Sequence, residues 1–220
     1  MTSQLIDDRP DCTVRRISVS AMENAVYLLT VKATGAQLLV DAADDIDALE
    51  SLLRDGAGDA TAPARLEFIV TTHAHWDHTR ATAELARRTG ARVAIGAADA
   101  GQLRGERGVD AGILLEHGDR VHVDGLELEV VALRGHTPGS VALATTTGRP
   151  VLLFTGDSLF PGGVGNTGND PKRFASLLAD VSERLFDRFG DDARVLPGHG
   201  EATTLGAERP ALPEWRERGW

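Results

Sequence analysis

The sequence predicts an α/β fold of two packed sheets flanked by helices. Strand-like segments arrive in hairpin-like groups with helices between them, so apolar sheet faces need helices to cover them. Asp124-Gly125, set between two strand-like runs, is a two-residue hairpin signal. No repeat of fixed period and no linker divides the 220 residues, so a single domain over 1–220 is expected.

In chain order, alternation and β-branched content place strands at 14–19, 26–32 and 37–40, the last ending in Asp41. Residues 45–54 read as a short helix with Ile46, Leu49, Leu52 and Leu53 on one side. A Gly/Ala-rich loop, 56–63, leads to a buried strand at 66–70. A helix is expected over 79–88, stopped by Gly90, then a strand at 92–95, a helix at 97–103 and a polar loop at 105–112. Strands follow at 120–123, 126–133, 141–145 and 151–154. After a glycine-rich loop, Asp170 reads as an N-cap and Pro171 as the first helical residue. Phe174, Leu177, Leu178, Val181, Leu185 and Phe189 form that helix's apolar stripe. A short strand at 194–196 and a tail with Pro210, Pro213, Trp215 and Trp220 complete the chain, the tail packing as an edge.

Composition narrows the function. The hydrophobic and charged fractions, 42% and 25%, are those of an ordinary soluble globule. A formal charge of −10 argues against nucleic acid as a partner, because neutralising phosphates needs a basic face. No apolar run approaches 18 residues, and the polar start of the chain has no signal-peptide core, so neither a membrane span nor export is expected. Cys12 is the only cysteine, which rules out an internal disulfide framework and a thiolate-rich metal site. A cytoplasmic protein acting on a small molecule is the expectation.

The densest chemistry lies in His73-Ala-His75-Trp76-Asp77-His78, which holds three of the seven histidines. Imidazole and carboxylate are ligands for Zn, Fe and Mn, and one cation does not need all four from so short a loop. In an extended segment, side chains two apart point the same way, so His73 and His75 suit one ion. Asp77 and His78, where the chain turns into a helix, suit a second. Three later segments each put a ligand just after a strand: His136 in Arg134-Gly-His-Thr-Pro-Gly-Ser140, Asp157 in Phe154-Thr-Gly-Asp-Ser158, and His199 in Leu196-Pro-Gly-His-Gly200. Ligands at successive strand ends converge on one sheet edge, which makes a rigid site.

These motifs resemble those of the metallo-β-lactamase-fold hydrolases, and within them the glyoxalase II group. The likeness runs from residue 71 to 200, with the 24–41 strand pair matching the family's opening. It implies an αββα sandwich with the site at one edge between the sheets. It implies His73, His75 and His136 on one metal, Asp77, His78 and His199 on a second, and Asp157 bridging them, with Asp77 and Asp157 as catalytic carboxylates. The implied cofactor is a pair of divalent ions, zinc first, with iron or manganese as alternatives. The implied reaction is hydrolysis of a small thioester or ester by a hydroxide shared between the ions. Two ions roughly 3.5–4 Å apart lower the pKa of a shared water toward about 7. Asp77 would orient that nucleophile or take its proton. A thiolate, with a parent pKa of about 8.5, leaves without a general acid, so thioesters suit the site.

The chain also departs from the pattern. Thr79-Arg80-Ala81 stands where relatives carry a Gly-Gly pair, and Asn166 where many carry an arginine. Only residues 200–220 follow His199, so the C-terminal helical domain with which glyoxalase II binds glutathione is not expected, and the thiol carrier is left open. A mononuclear-iron persulfide dioxygenase, drawing on His73, the neighbourhood of His75, His136 and Asp157, is the alternative reaction. A lactonase and a non-enzymatic metal-binding protein are further ones. Around the ligands, Asp41 is expected to orient them, and Thr137 and Ser140 to shape the His136 turn. Trp76 either lines the pocket mouth or packs, Met22-Glu23-Asn24 either overhangs the pocket or is a plain loop, Arg80 either reads a substrate carboxylate or is a solvated helix charge, and Gly162–Asn169 is either a flexible substrate loop or a set of turns. His117 and His122 fit no motif and are expected at the surface.

Overall fold

A computed structural model describes residues 3–219; Met1, Thr2 and the expected packing of Trp220 lie outside the described residues. The first sheet runs in chain order through β1 (Gln4–Asp8), β2 (Cys12–Val19), β3 (Asn24–Val31), β4 (Ala36–Val40), β5 (Arg65–Thr71), β6 (Arg92–Gly96) and β7 (Ile113–Leu115). Its first four strands are antiparallel and β4 to β7 are parallel. Next come β8 (Arg120–Val123), β9 (Leu126–Ala132), β10 (Val141–Thr145) and β11 (Leu152–Gly156), then the small hairpin of β12 (Leu159–Phe160) and β13 (Gly163–Val164). With β14 (Arg194–Pro197) and β15 (Thr203–Thr204) the second sheet has the order β15-β14-β11-β10-β9-β8, with only β11 and β14 parallel.

The main core lies between the sheets. Leu29, Leu38 and Val70 of the first pack with Leu128, Leu143, Phe154 and Leu196 of the second. Two further apolar layers cover the outer faces. Helices α1 (Ile46–Ala57) and α3 (Thr82–Thr89) bury Leu49, Leu52 and Leu85 on the first sheet. Helix α5 (Pro171–Val181) lays Phe174, Leu177, Leu178 and Val181 on the second. The αββα layering implied by the sequence is the observed one.

Local chemistry explains the helix ends. Asp45 caps α1 by accepting from Ala48 N–H at 3.1 Å, and Asp170 caps α5 by accepting from Lys172 N–H and Arg173 N–H at 2.8 and 3.2 Å. The helix expected over 79–88 is instead two: α2 (Trp76–Thr79) and α3. The break arises because Arg80 and Ala81 N–H bond to Ala43 O and Ala42 O, at 3.1 and 3.0 Å, instead of continuing the helix. Helix α4 (Ala100–Arg107) reaches into the loop expected at 105–112 and stops at Gly108. Strands β1 and β7 lack the alternation that marks a strand, and pairing to a neighbour decides them. The α5 stripe passes through one wide turn, Asp187 N–H reaching Ser182 O at 2.9 Å, which brings Leu185 and Phe186 inward and leaves Phe189 half-buried. In the tail, α6 (Leu205–Glu208) and α7 (Leu212–Arg218) bury Trp215 against Phe186, as the packed-edge expectation requires. Among the described residues, no helix is long and apolar enough to cross a membrane.

Candidate metal centre

Every sequence-predicted ligand comes to one edge of the sandwich. The chain leaves β5 through Thr72 into His73 and His75, and α2 then holds Asp77 and His78. His136 follows β9, Asp157 follows β11 and His199 follows β14, so the first sheet supplies four candidates and the second sheet three.

The side-chain donors form overlapping groups. His73, His75 and His136 are one, Asp77, His78 and His199 another, and His73, His78 and Asp157 a third that joins them, each with donor atoms within 4.8 Å of one another. His73 Nε2 lies 3.1 Å from His75 Nδ1 and 3.3 Å from His136 Nε2. His78 Nε2 lies 3.1 Å from His199 Nε2, and both face Asp77 Oδ2, at 3.4 and 3.2 Å. Asp157 sits between, with Oδ1 3.4 Å from His78 Nε2 and Oδ2 3.6 Å from both His136 Nε2 and His199 Nε2.

The outward ring nitrogens decide what the inward ones can do. His136 Nδ1 donates to Asn166 O at 2.7 Å and His199 Nδ1 to Met22 O at 2.8 Å. Thr72 Oγ1 donates to Asp41 Oδ2 (2.8 Å), so at 3.1 Å it is the acceptor for His73 Nδ1. His78 Nδ1 donates to Asp41 Oδ2 at 3.0 Å. With Nδ1 carrying the proton, Nε2 of neutral His73 and His136 presents a lone pair to the centre. The His73 and His136 lone pairs, converging at 3.3 Å, repel unless a cation lies between them. Among the described residues, buried Asp157 Oδ1 has no hydrogen bond of good geometry, with His78 Nε2 3.4 Å away, the costly state that a cation relieves. The donor set fits divalent metal ions.

Charge runs the same way. Burial, and then the neighbouring imidazoles, push the His73 ring well below its ordinary pKa, and burial lowers His136 as well, so both are neutral donors. Burial also opposes charge on His78, but the Asp157 and Asp41 carboxylates outweigh it and hold the ring up at about 10. Asp77 and Asp157 feel burial raising them, yet hydrogen bonds and positive imidazoles bring both below the ordinary carboxylate range. Three carboxylates in one buried cluster require positive charge, which protons or metal ions supply.

The surrounding residues fall where expected, with two additions. Asp41, at φ 60° and buried, also accepts from Thr72 N–H at 2.7 Å and so orients His78 and the His73 segment. Ser140 Oγ accepts from Thr137 N–H at 3.1 Å, inside the turn that presents His136. The 162–169 segment carries β13 and the carbonyl that fixes His136, so it forms a wall of the site. Arg80 stacks on Trp76 at 4.5 Å and pairs with Asp44 at 3.1 Å, while Trp76, beside Asp77, is 48% exposed. His117 and His122 are exposed and away from the centre. Asn24, expected at the mouth, is instead fully buried and donates to Asp77 Oδ2 at 2.9 Å. Asp99 was not singled out from the sequence, although it follows β6 at the same sheet edge that bears the ligands.

The family model described as the metallo-beta-lactamase superfamily matches residues 23–199, a span that contains every one of these donors. The chain belongs to that superfamily. Within it, the chain is 34% identical over 181 residues to a hydroxyacylglutathione hydrolase of Polaromonas sp., covering 82% of this chain and 63% of that relative. It therefore spans under two thirds of that relative's length. Among solved structures, the B3 metallo-beta-lactamase BLEG-1 superposes with a TM-score of 0.77 over 92% of this chain and 99% of that one; at 23% identity it shows the shared fold. The protein TTHA1623, solved in a di-iron-bound form, is 30% identical with a TM-score of 0.69, over 88% of this chain and 96% of that one.

Proposed function

We propose that this superfamily member is a two-metal hydrolase of small thioesters or esters. The observation that carries the reading is the pair of complete donor triplets, His73/His75/His136 and Asp77/His78/His199, with Asp157 placed to bridge them. A second full triplet favours two ions over the single iron of the dioxygenase alternative. When bound, two divalent ions supply an activated water at neutral pH and Lewis acidity toward a carbonyl oxygen.

The chain's own residues supply position. Asn24 holds Asp77 Oδ2, so the carboxylate keeps one orientation toward the reacting water. Because Asp77 lies far below the ordinary carboxylate range, it accepts hydrogen bonds at neutral pH without storing a proton, and acts as an orienting group. Asp157 is likewise anionic, so neither carboxylate donates a proton to a leaving group. That absence selects the substrate class. An amide nitrogen needs a proton to depart, whereas a thiolate with a parent pKa of about 8.5 does not. The name of the Polaromonas relative, a thioester hydrolase, supports the same class.

Nitrogen and carboxylate donors suit zinc, the expected metal, and iron, the metal in the 30% identical neighbour, is its rival. A single buried cysteine supports a cytoplasmic setting. The test is purification without added metal, elemental analysis for zinc and iron, and assay of that sample against a thioester panel, with oxygen uptake on a persulfide alongside. We expect about two ions per chain, thioester hydrolysis and no oxygen uptake. One iron with oxygen uptake would overturn the hydrolase reading. Asp157→Ala should lower the rate by at least about 1,000-fold, and a retained full rate would refute the shared-carboxylate arrangement.

A further inference from the structure

We infer that Asp99 is a positioning residue that sets the spacing of the His73/His75/His136 triplet. It is 1% exposed, and among the described residues no cation pairs with it. Instead it accepts three hydrogen bonds. Ala74 N–H, between His73 and His75, donates to Oδ2 at 3.0 Å. Thr137 Oγ1, next to His136, donates to the same oxygen at 2.6 Å, and Gly139 N–H donates to Oδ1 at 2.7 Å. One carboxylate in the turn after β6 thus ties the loop from the first sheet to the turn from the second. Both loops carry ligands of the same triplet.

The packing leaves no slack in this tie. A Cβ on Gly139 would lie 2.8 Å from Asp99 Cβ, and one on Gly96 would fall inside the Gly139 carbonyl. The backbone after β9 therefore rests on the end of β6, and the carboxylate spans the remaining gap. The donor chain continues one step further. Thr137 Oγ1 gives its proton to Asp99, so it accepts from Ser140 Oγ at 2.6 Å, and Ser140 Oγ accepts in turn from Thr137 N–H. The turn is locked internally and the lock is anchored on Asp99.

Both carboxylate oxygens accept, so an amide cannot replace them. In Asp99→Asn, one side of the group becomes an NH2 facing an N–H donor, whichever way it is turned. Either Gly139 N–H, or Ala74 N–H and Thr137 Oγ1, then loses its acceptor, and the tie between the two loops is partly released. The Asp77/His78/His199 triplet has no bond to Asp99, so the release acts on one triplet only. This selectivity rests on the two-metal reading above.

The test is zinc binding to metal-free protein, followed by competition with a chromophoric chelator. Asp99→Asn should weaken the ion held by the three histidines by about 10- to 100-fold, the range for losing a group that orients ligands. In a His199→Ala background, which isolates that ion, the same loss should appear. In a His75→Ala background, which isolates the other ion, Asp99→Asn should change the dissociation constant by less than about three-fold. Thr137→Val, which removes one of the three donors and keeps the carboxylate, should weaken the three-histidine ion in the same direction by a smaller factor, and serves if Asp99→Asn does not fold. Equal weakening of both ions, or none in the His199→Ala background, overturns the inference. A wild type that binds a single ion overturns the two-metal reading instead, and Asp99 is then judged on the His199→Ala background alone.

Discussion

At the residue scale, the centre is crowded enough that a missing side chain is itself informative. A Cβ at Gly198 would lie 2.7 Å from His78 Cε1 and closer still to Asp157 Oδ1. The glycine before His199 is therefore needed for space, because two candidate ligands already fill it. Gly198→Ala should displace Asp157 or His78 and lower the rate by at least about 100-fold, since misplacing catalytic groups by about 1 Å has that effect. Circular dichroism should show an unchanged fold, and a variant with near-wild-type activity would show that the ligands have room to yield. The candidate ligands were legible because His73, His75, His136, Asp157 and His199 follow strand-like runs closely, Asp77 and His78 share the first cluster, and strand ends meet at a sheet edge. Asn24 was legible only as a candidate for the pocket mouth, and Asp99 was not legible at all. Their role is to accept or donate across the fold to residues 53 and 25–40 positions away, and local pattern holds no trace of such a partner.

At the element scale, segments with their own apolar period were readable, and those defined by a partner were not. α5 was visible from Asp170, Pro171 and its stripe, whereas polar β1 exists because β2 offers it a free edge. The break between α2 and α3 was hidden for a similar reason, since it is made by carbonyls of Ala42 and Ala43. One such long-range tie can be tested by pH. Asp59, in the loop after α1, accepts from Arg15 Nε and Nη2 of β2 at 2.7 and 2.8 Å and from Thr13 Oγ1 at 2.9 Å. The Arg15 guanidinium, with help from Thr13, holds the Asp59 carboxyl below its ordinary range. A carboxylate whose folded pKa is lowered contributes stability above its unfolded value, near pH 4, and loses it as the pH falls through the lower folded value. Asp59→Asn should therefore cost about 1 kcal/mol in urea unfolding at pH 7, with a smaller difference at pH 2. A gap of equal size at both pH values would show that the tie acts through shape alone.

At the scale of the whole molecule, the two sheets are held by an apolar core, and the cluster concentrates charge at one edge. The first sheet brings His73, His75, Asp77 and His78 to that edge, and the second brings His136, Asp157 and His199. Each proposed ion takes donors from both sheets, so it acts as a cross-link as well as a reagent. Without ions, the carboxylates must draw on protonated His78, whose ring sits at about 10. Ion binding displaces that proton and couples metal affinity to folding. Because the folded protein binds the ions and the unfolded chain does not, each ion at 100 times its dissociation constant adds about 2.7 kcal/mol. For a chain of this size that raises Tm by about 5–10 °C per ion. Stripping the protein with a chelator should lower Tm by at least that amount, and zinc should restore it. Asp157→Ala, with its bridging carboxylate gone, should respond to the chelator by a smaller shift. An unchanged Tm after elemental analysis has shown the metal removed would mean that the apolar core alone closes the sandwich, and that the ions serve chemistry without holding the sheets together.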